Sequence, residues 1–413
     1  MSDDLHIRRD QSALAEGALF GRRRRSVARW KIALFFAALV FLGLVLWQAD
    51  NLRPRLLAIL GTGATATPNA EEYFRRGDLA FARGDLDTAI DNYRQAANQI
   101  PYNVDILYEL SRMLLYRSYD DARDAADIAE AQEWAAQALE TNPGNARAHT
   151  INCFALLRAE KSEDAVRACR QSIELKSNDS EPHAYLSMAY LDLGRIDEAA
   201  QEGKQAVTLN ERSIDANTAY AQALASQNKF DAALDYYQRA TLINPRLEFP
   251  YFNLGYTAYS IAITKGDTSK YQVATTAYNT VLSINSRNAK AYTRLCWTYM
   301  ASGEWNLARD NCVTATDIDG SYSPAWRWLG EVRYRTMDYA GAITAFQKCA
   351  ELESSLTFDR RQPECWVLRG LAYYQASHDC DQAMPIFSEV LSWAHDARTI
   401  RLANEGIGLC GKS

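Results

Sequence analysis

The hydrophobic and polar positions of the chain follow two different patterns. Residues 32–47 read IALFFAALVFLGLVLW and contain no charged residue, and Trp30 and Trp47 bracket this run. From Ala70 onward the apolar positions instead recur in amphipathic stretches that repeat about every 34 residues. The first pattern predicts one membrane-spanning helix, and the second predicts an all-α chain of repeated helical hairpins.

The uncharged run has the length and the flanks of a transmembrane helix. Together with Trp30 it spans roughly 27 Å at about 1.5 Å per residue, close to the thickness of a bilayer core. Arg22–Arg25 precede the run, whereas only two arginines closely follow it. By the positive-inside rule we expect residues 30–49 to cross the membrane with the N-terminus in the cytoplasm. A cleaved signal peptide is the alternative, but the run ends in Trp-Gln-Ala, a poor small-residue cleavage site.

The charge is distributed unevenly along the chain. The total is −6, but residues 1–31 carry +4 and residues 32–67 carry +1, which leaves −11 on residues 68–413. We therefore predict a basic cytoplasmic tail in residues 1–29 and a juxtamembrane segment with a flexible linker in residues 50–69. An acidic body repels phosphate backbones, so no nucleic-acid partner is expected.

Small residues return at fixed places in each repeat. In residues 70–103, Gly77 is the eighth residue, Ala89 the twentieth and Ala96 the twenty-seventh, while the bulky Tyr93 is the twenty-fourth. Small residues at these places let two helices approach closely, and large residues fill the gaps left between them. The pattern resembles the tetratricopeptide repeat, a helix–turn–helix unit of about 34 residues.

This resemblance recurs in phase and defines nine units. It implies a right-handed superhelical solenoid over residues 70–395, followed by a capping helix and the C-terminus in residues 396–413. In the two longest units the extra residues fall between the two helices. The units are 70–103, 104–145, 146–179, 180–213, 214–247, 248–288, 289–322, 323–362 and 363–395.

All eight cysteines lie in the repeats or the cap. The repeat register puts two pairs at the eighth and twenty-fourth residues of their units, which face each other across a hairpin, and it brings the other four close in adjacent helices. The resemblance thus implies disulfides that each contribute about 3 kcal/mol and that require an oxidising compartment outside the cytoplasm. Free buried thiols are the alternative. The implied pairs are Cys153–Cys169, Cys296–Cys312, Cys349–Cys365 and Cys380–Cys410.

No motif for catalysis appears in the sequence. Nucleotide-binding loops, nucleophile motifs and paired-carboxylate motifs are missing, and no two cysteines have the C-x-x-C spacing of a zinc site. We therefore predict a non-enzymatic protein without catalytic residues, metal or cofactor.

In the family that the repeats resemble, the first helix of each unit lines the concave face. Here the corresponding positions hold many rings, and an aromatic groove suits binding of a peptide or protein partner. These rings are Phe74, Phe81, Tyr108, Tyr116, Phe154, Phe249, Phe252, Tyr256, Tyr259, Trp297, Tyr334 and Tyr374. The predicted partner-binding residues are Phe249, Phe252, Asn253, Tyr256, Tyr259, Lys290, Arg294, Trp297 and Tyr334.

Some of these residues also resemble part of a known carboxylate clamp. Family members that bind chaperone tails hold a terminal carboxylate with Lys, Asn and Arg side chains. Asn253, Lys290 and Arg294 match three of those roles, but Thr218 and Gln222 stand where the first Lys and Asn are expected. Recognition of a terminal carboxylate is therefore a hypothesis with an incomplete set of residues.

The leading interpretation is a membrane-anchored adaptor or scaffold. It would bind a protein or peptide partner in its concave groove on the extracytoplasmic side, in the periplasm or at the cell surface. The alternative is a permanent structural subunit of a larger membrane or cell-surface complex. A cytoplasmic scaffold would require eight free thiols and contradicts the arginine run. The sequence leaves the partner and the oligomeric state open.

Overall fold

A computed structural model describes residues 69–119 and 124–411 of the chain. The predicted tail, membrane helix and most of the linker, residues 1–68, lie outside the described residues. Within the described ranges, no helix is both long enough and apolar enough to cross a membrane.

The described residues form nineteen α-helices and one short 3-10 helix, Phe358–Arg360. Consecutive helices pack as hairpins, and each hairpin packs on the next. The prediction of an all-α repeat solenoid is therefore confirmed. The helices are α1 Ala70–Ala82, α2 Leu86–Gln99, α3 Val104–Arg117, α4 Asp124–Thr141, α5 Ala146–Arg158, α6 Ser162–Leu175, α7 Ser180–Asp192, α8 Ile196–Leu209, α9 Ile214–Ser226, α10 Phe230–Ile243, α11 Phe249–Lys265, α12 Ser269–Ile284, α13 Ala289–Ser302, α14 Trp305–Ile318, α15 Ser323–Arg335, α16 Tyr339–Glu353, α17 Glu364–Ser377, α18 Cys380–Leu391 and α19 Ala397–Cys410.

Local sequence explains where many of the helices begin and end. Asn69 and Asn288 cap α1 and α13, each with a side-chain oxygen that accepts a backbone N–H at 2.8 Å. In eight of the units, one residue with positive φ ends the turn between the two helices. Glycine adopts this left-handed conformation without strain, as at Gly84, Gly194 and Gly303.

Within a hairpin, the two helices approach at the eighth and twenty-fourth residues. A Cβ added to Gly77 would lie 2.6 Å from the ring of Tyr93, and Gly330 is in the same relation to Phe346. In two units a cysteine pair takes the place of the glycine and the ring: both Cys153–Cys169 and Cys296–Cys312 have Cα atoms 5.2 Å apart. The same close approach therefore accommodates either a small–large pair or a disulfide.

The structure brings the sulfur atoms of the four cysteine pairs to bonding distance, and the pairing is the one that the repeat register implies. Cys349–Cys365 joins α16 to α17, and Cys380–Cys410 joins the start of α18 to the end of the capping helix α19. The carboxylate of Glu353 lies beside the Cys349–Cys365 pair. Because these two sulfurs are bonded to each other, the group offers no thiolate to a metal ion.

Units that are four or five apart along the chain also contact each other directly. We call this the turn-to-turn contact. The Asn244 side chain donates a hydrogen bond to the Phe81 carbonyl at 2.9 Å, and Lys290 Nζ donates to the Tyr119 carbonyl at 2.8 Å. The ring of Phe249 lies 5.0 Å from that of Tyr116 and 4.9 Å from that of Tyr119. The first two units are thereby held against the end of unit five and the starts of units six and seven.

Gly84 marks the closest approach in this contact. Its φ is +75°, and an added Cβ would lie 2.4 Å from the carbonyl oxygen of Arg246. Gly194 has nearly the same conformation, with φ +72°, but nothing lies within 4 Å of an added Cβ. A side chain at residue 84 is therefore excluded by the turn-to-turn contact as well as by the backbone.

We predict that Gly84→Ala weakens the turn-to-turn contact. Both Gly84→Ala and the control Gly194→Ala introduce left-handed strain of about 1 kcal/mol, but only the first adds a steric overlap of about 1–3 kcal/mol. Urea unfolding should therefore show a larger loss for Gly84→Ala. Hydrogen exchange should speed up at residues 81–84 and 244–249 in that variant alone. Equal losses in the two variants would contradict this account.

Candidate partner-binding face

The interior of the N-terminal units is filled by their own rings. Tyr108, Tyr116 and Phe154 are buried, and Phe154 stacks on Tyr185 with centroids 4.2 Å apart. Phe249 is only 5% exposed because the turn-to-turn contact covers it. The expectation of an open aromatic groove is therefore wrong for these rings, including the predicted partner-binding residue Phe249.

A buried carboxylate lies among these rings. Asp215 Oδ2 accepts hydrogen bonds from the hydroxyls of Tyr116 at 2.6 Å and Tyr185 at 3.0 Å. Burial raises the pKa of Asp215 to about 6, even though these hydrogen bonds and the nearby charge of Arg112 favour the ionised form. The network links units two, four and five inside the solenoid.

Beyond this filled interior, a pocket of about 450 Å³ opens along units three to six. Arg158, Asp192, Gln222 and Asn253 supply polar atoms to its wall, and several Leu, Met and Ala side chains supply apolar surface. Tyr256 also lines the pocket and is 53% exposed. Two predicted partner-binding residues, Asn253 and Tyr256, therefore lie in an accessible cavity.

A row of rings continues from Tyr256 into the next units, and we call it the aromatic ladder: Tyr256, Tyr259, Trp297 and Trp328. The Trp297 centroid lies 5.9 Å from Tyr256, 3.9 Å from Tyr259 and 5.7 Å from Trp328. The ladder thus crosses from α11 through α13 to α15. It includes three predicted residues and also Trp328, which was not predicted because the sixth residue of a unit is not among the family's concave-face positions.

Two arginines cover the tryptophans of the ladder. The Arg294 guanidinium carbon lies 5.0 Å from the Trp297 centroid, and that of Arg327 lies 4.3 Å from Trp328. Such stacking fixes a guanidinium over the ring while its N–H donors point along the ring plane. The partner-binding face is hereafter Asn253, Arg294, Arg327 and the aromatic ladder.

The remaining predicted residues lie elsewhere. Lys290 donates to the Tyr119 carbonyl and its Nζ lies 5.2 Å over the ring of Phe252. These contacts compete with the terminal-carboxylate role that the clamp hypothesis gives to Lys290. Phe252 lines a separate cleft of about 860 Å³ beside the turn-to-turn contact. Tyr334 is half-buried and packs edge-on against Tyr339, with centroids 5.6 Å apart.

Comparison with known proteins identifies a repeat family in the middle of the chain. Residues 154–214 and 186–246 match the family model described as tetratricopeptide repeat. Residues 154–246 therefore match tetratricopeptide repeats, and they form part of the helical solenoid. It is also 35% identical over 86 residues to the "Heat-shock protein cognate (HSC) co-chaperone sgt12" of Aspergillus fumigatus. That match covers 21% of this chain, and it spans only 25% of the co-chaperone.

Two solved structures have a similar fold. The APC/C hetero-tetramer Cut9-Hcn1 gives a TM-score of 0.51 at 14% identity, over 82% of this chain and 76% of that chain. The human IFIT1 dimer with PPP-AAAA gives a TM-score of 0.53 at 15% identity, over 79% of this chain and 83% of that chain. At these identities the similarity extends to the fold alone.

The buried carboxylate predicts a specific dependence of stability on pH. The pKa of Asp215 is about 6 in the folded chain and about 3.9 when unfolded. Folding therefore favours its protonated form, and the stability that this form contributes is lost as pH rises from about 4 to 6. The loss integrates to about 3 kcal/mol.

Asp215→Asn removes this titration and keeps an oxygen that accepts from both tyrosines. We expect the free energy of unfolding of the wild type, relative to Asp215→Asn, to fall by about 2 kcal/mol between pH 4 and pH 7, because part of the loss already occurs below pH 4. Urea unfolding at several pH values measures this difference. The exposed Asp231→Asn is the control. Parallel pH curves for wild type and Asp215→Asn would contradict the assignment.

Proposed function

We propose that the chain is a membrane-anchored, non-enzymatic tetratricopeptide adaptor or scaffold that binds a protein or peptide partner outside the cytoplasm. The observation that supports binding is the accessibility of the partner-binding face. Tyr256 is 53% exposed there, although most rings on the N-terminal first helices are buried. A large exposed ring next to a pocket is typical of protein interaction sites.

The geometry of the face suits an extended peptide. Tyr256 belongs to both the 450 Å³ pocket and the aromatic ladder, so one ligand can contact both. The ladder rings and the stacked arginines hold one another in place, so little side-chain entropy is lost when a partner binds. The pocket supplies hydrogen-bonding groups that fix the orientation of the ligand.

Similarity to the Aspergillus fumigatus protein supports a protein partner, since that protein is described as a heat-shock protein cognate co-chaperone. The extracytoplasmic location is supported by other observations. The uncharged residues 32–47 follow Arg22–Arg25, which favours a cytoplasmic N-terminus. The four cysteine pairs are typical of an oxidising compartment.

A permanent subunit of a larger membrane or cell-surface complex is the alternative function. It is favoured by exposed apolar side chains away from the partner-binding face, namely Tyr102 at 75%, Leu242 at 71% and Met337 at 73%. Fixed neighbours would cover such side chains, whereas an adaptor would leave them in solvent.

The proposed location predicts that the native chain carries no free thiol. Alkylation in denaturant without reductant should modify none of the eight cysteines, and alkylation after reduction should modify all eight. Mass spectrometry of the chain isolated from its native membrane measures both. Eight alkylated cysteines before reduction would contradict the disulfides and the extracytoplasmic location.

Photocrosslinking tests the binding face directly. We expect p-benzoylphenylalanine in place of Tyr256 to crosslink to a partner in native membranes, since this side chain is exposed beside the pocket. The same substitution at Tyr102, an exposed tyrosine in the loop between α2 and α3, is the matched control and should not crosslink. Capture of one stoichiometric partner from both positions would instead favour the permanent subunit.

A further inference from the structure

The partner-binding face contains an arginine without a carboxylate beside it. Arg294 is half-buried, with its guanidinium 5.0 Å over the ring of Trp297. No Asp or Glu in the part of the chain that the structure describes forms an ion pair with Arg294 within 4 Å. Its N–H donors are therefore available to a ligand that reaches the ladder.

The next unit shows what an arginine does in this setting. Arg327 stacks on Trp328 and at the same time binds Glu364, with Nη2 to Oε1 at 3.0 Å. The side chain of Arg327 is 16% exposed, so the ion pair is largely shielded from water. A guanidinium stacked on an indole of this face thus keeps donors for a carboxylate.

The repeat register explains why Arg294 differs. Glu364 is the second residue of its unit and binds Arg327, the fifth residue of the preceding unit, whereas Arg294 is the sixth residue of its own unit. The second residue of unit eight is Pro324, which has no carboxylate to offer Arg294. At an earlier junction, Glu109 and Arg147 occupy the sixth and second places of adjacent units and pair at 2.9 Å. The sixth place of one unit and the second place of the next can therefore form an ion pair, and at the junction of Arg294 the second place holds Pro324.

We propose that Arg294 binds an acidic side chain of the partner, which supplies the carboxylate that Pro324 cannot. The ligand is then an internal peptide segment with Asp or Glu next to aromatic or aliphatic residues, held on the aromatic ladder. This inference rests on the proposed function and specifies the chemistry of its partner. The net charge of −11 on residues 68–413 repels an acidic ligand at long range, so the guanidinium of Arg294 must supply the local attraction.

An internal carboxylate fits better than a terminal one. A terminal-carboxylate clamp uses a lysine together with other side chains, but Lys290 donates to the Tyr119 carbonyl and lies over Phe252. Arg294 alone provides a planar pair of donors, which matches a single side-chain carboxylate.

Paired synthetic peptides test this inference. The probes are N-acetylated, C-amidated, fluorescein-labelled decapeptides with a Phe-Glu-Glu-Phe or a Phe-Gln-Gln-Phe centre, and fluorescence anisotropy measures their binding to the full chain in detergent. We expect the Glu peptide to bind about ten-fold more tightly, because a charge-assisted hydrogen bond forms in a partly dry site.

Two substitutions should abolish that difference. Arg294→Gln removes the guanidinium, and Pro324→Glu supplies an intrachain carboxylate at the place that Glu364 has in the next unit. Pro324 lies in the first turn of α15, where a Glu is favourable, so the melting temperature should stay near that of the wild type. Arg309→Gln, on an exposed site of α14, changes the charge equally and should leave binding unchanged.

The outcomes separate this inference from the proposed function. Equal binding of the Glu and Gln peptides to the wild type would overturn the acidic ligand and leave a peptide-binding face. Tighter binding of a Gln peptide with a free C-terminal carboxylate, lost in Lys290→Ala, would overturn it in favour of the terminal clamp. If neither peptide bound while residue 256 still crosslinked to a partner, the inference would fail and the proposed function would stand. If neither peptide bound and residue 256 did not crosslink, both the inference and the proposed function would be overturned.

Discussion

The contact between distant units decides which part of the concave face a partner can reach. Phe249 lies between Tyr116 and Tyr119, and Lys290 donates to the backbone of unit two. This contact buries Phe249 against Tyr116, and neighbouring helices bury Phe154, so these rings stabilise the solenoid instead of binding a ligand. The pocket borders this contact at Tyr119 and reaches Asn253 and Tyr256, where the aromatic ladder begins. Along one series of similar helices, some rings thus stabilise the fold while others stay accessible to a partner.

Features that depend on one hairpin could be predicted from the sequence. A glycine sixteen residues before a ring, as in Gly77 and Tyr93, fixes how closely two helices approach. Cys153 and Cys169 have the same separation, so their closeness follows from the repeat itself. These relations are local and recur in several units, and the side chains concerned have few alternative neighbours.

Features that join distant units could not be predicted in the same way. The hydrogen bond from Lys290 to Tyr119 spans 171 residues, and it depends on the small rotation between each pair of neighbouring units. The sequence of one repeat does not show how these rotations add up along the chain. The rings of units one to three and Phe249 were therefore expected on an open face. Trp328 was missed for a simpler reason: the family pattern directed attention to fixed positions, although a tryptophan beside Arg327 on a first helix was visible in the sequence.

The same register also explains how one face combines stability with binding. Where both partners of a junction pair are present, as in Arg327 and Glu364, the charges neutralise each other and join two units. Where the second place holds Pro324, the units still pack through their helices, but the cation keeps its donors. A stacked indole holds that cation in place without an acid, because cation–π attraction replaces part of the lost ion pair. Under the proposed role of Arg294, the residue at the second place of a unit decides whether the preceding arginine joins two units or binds a partner.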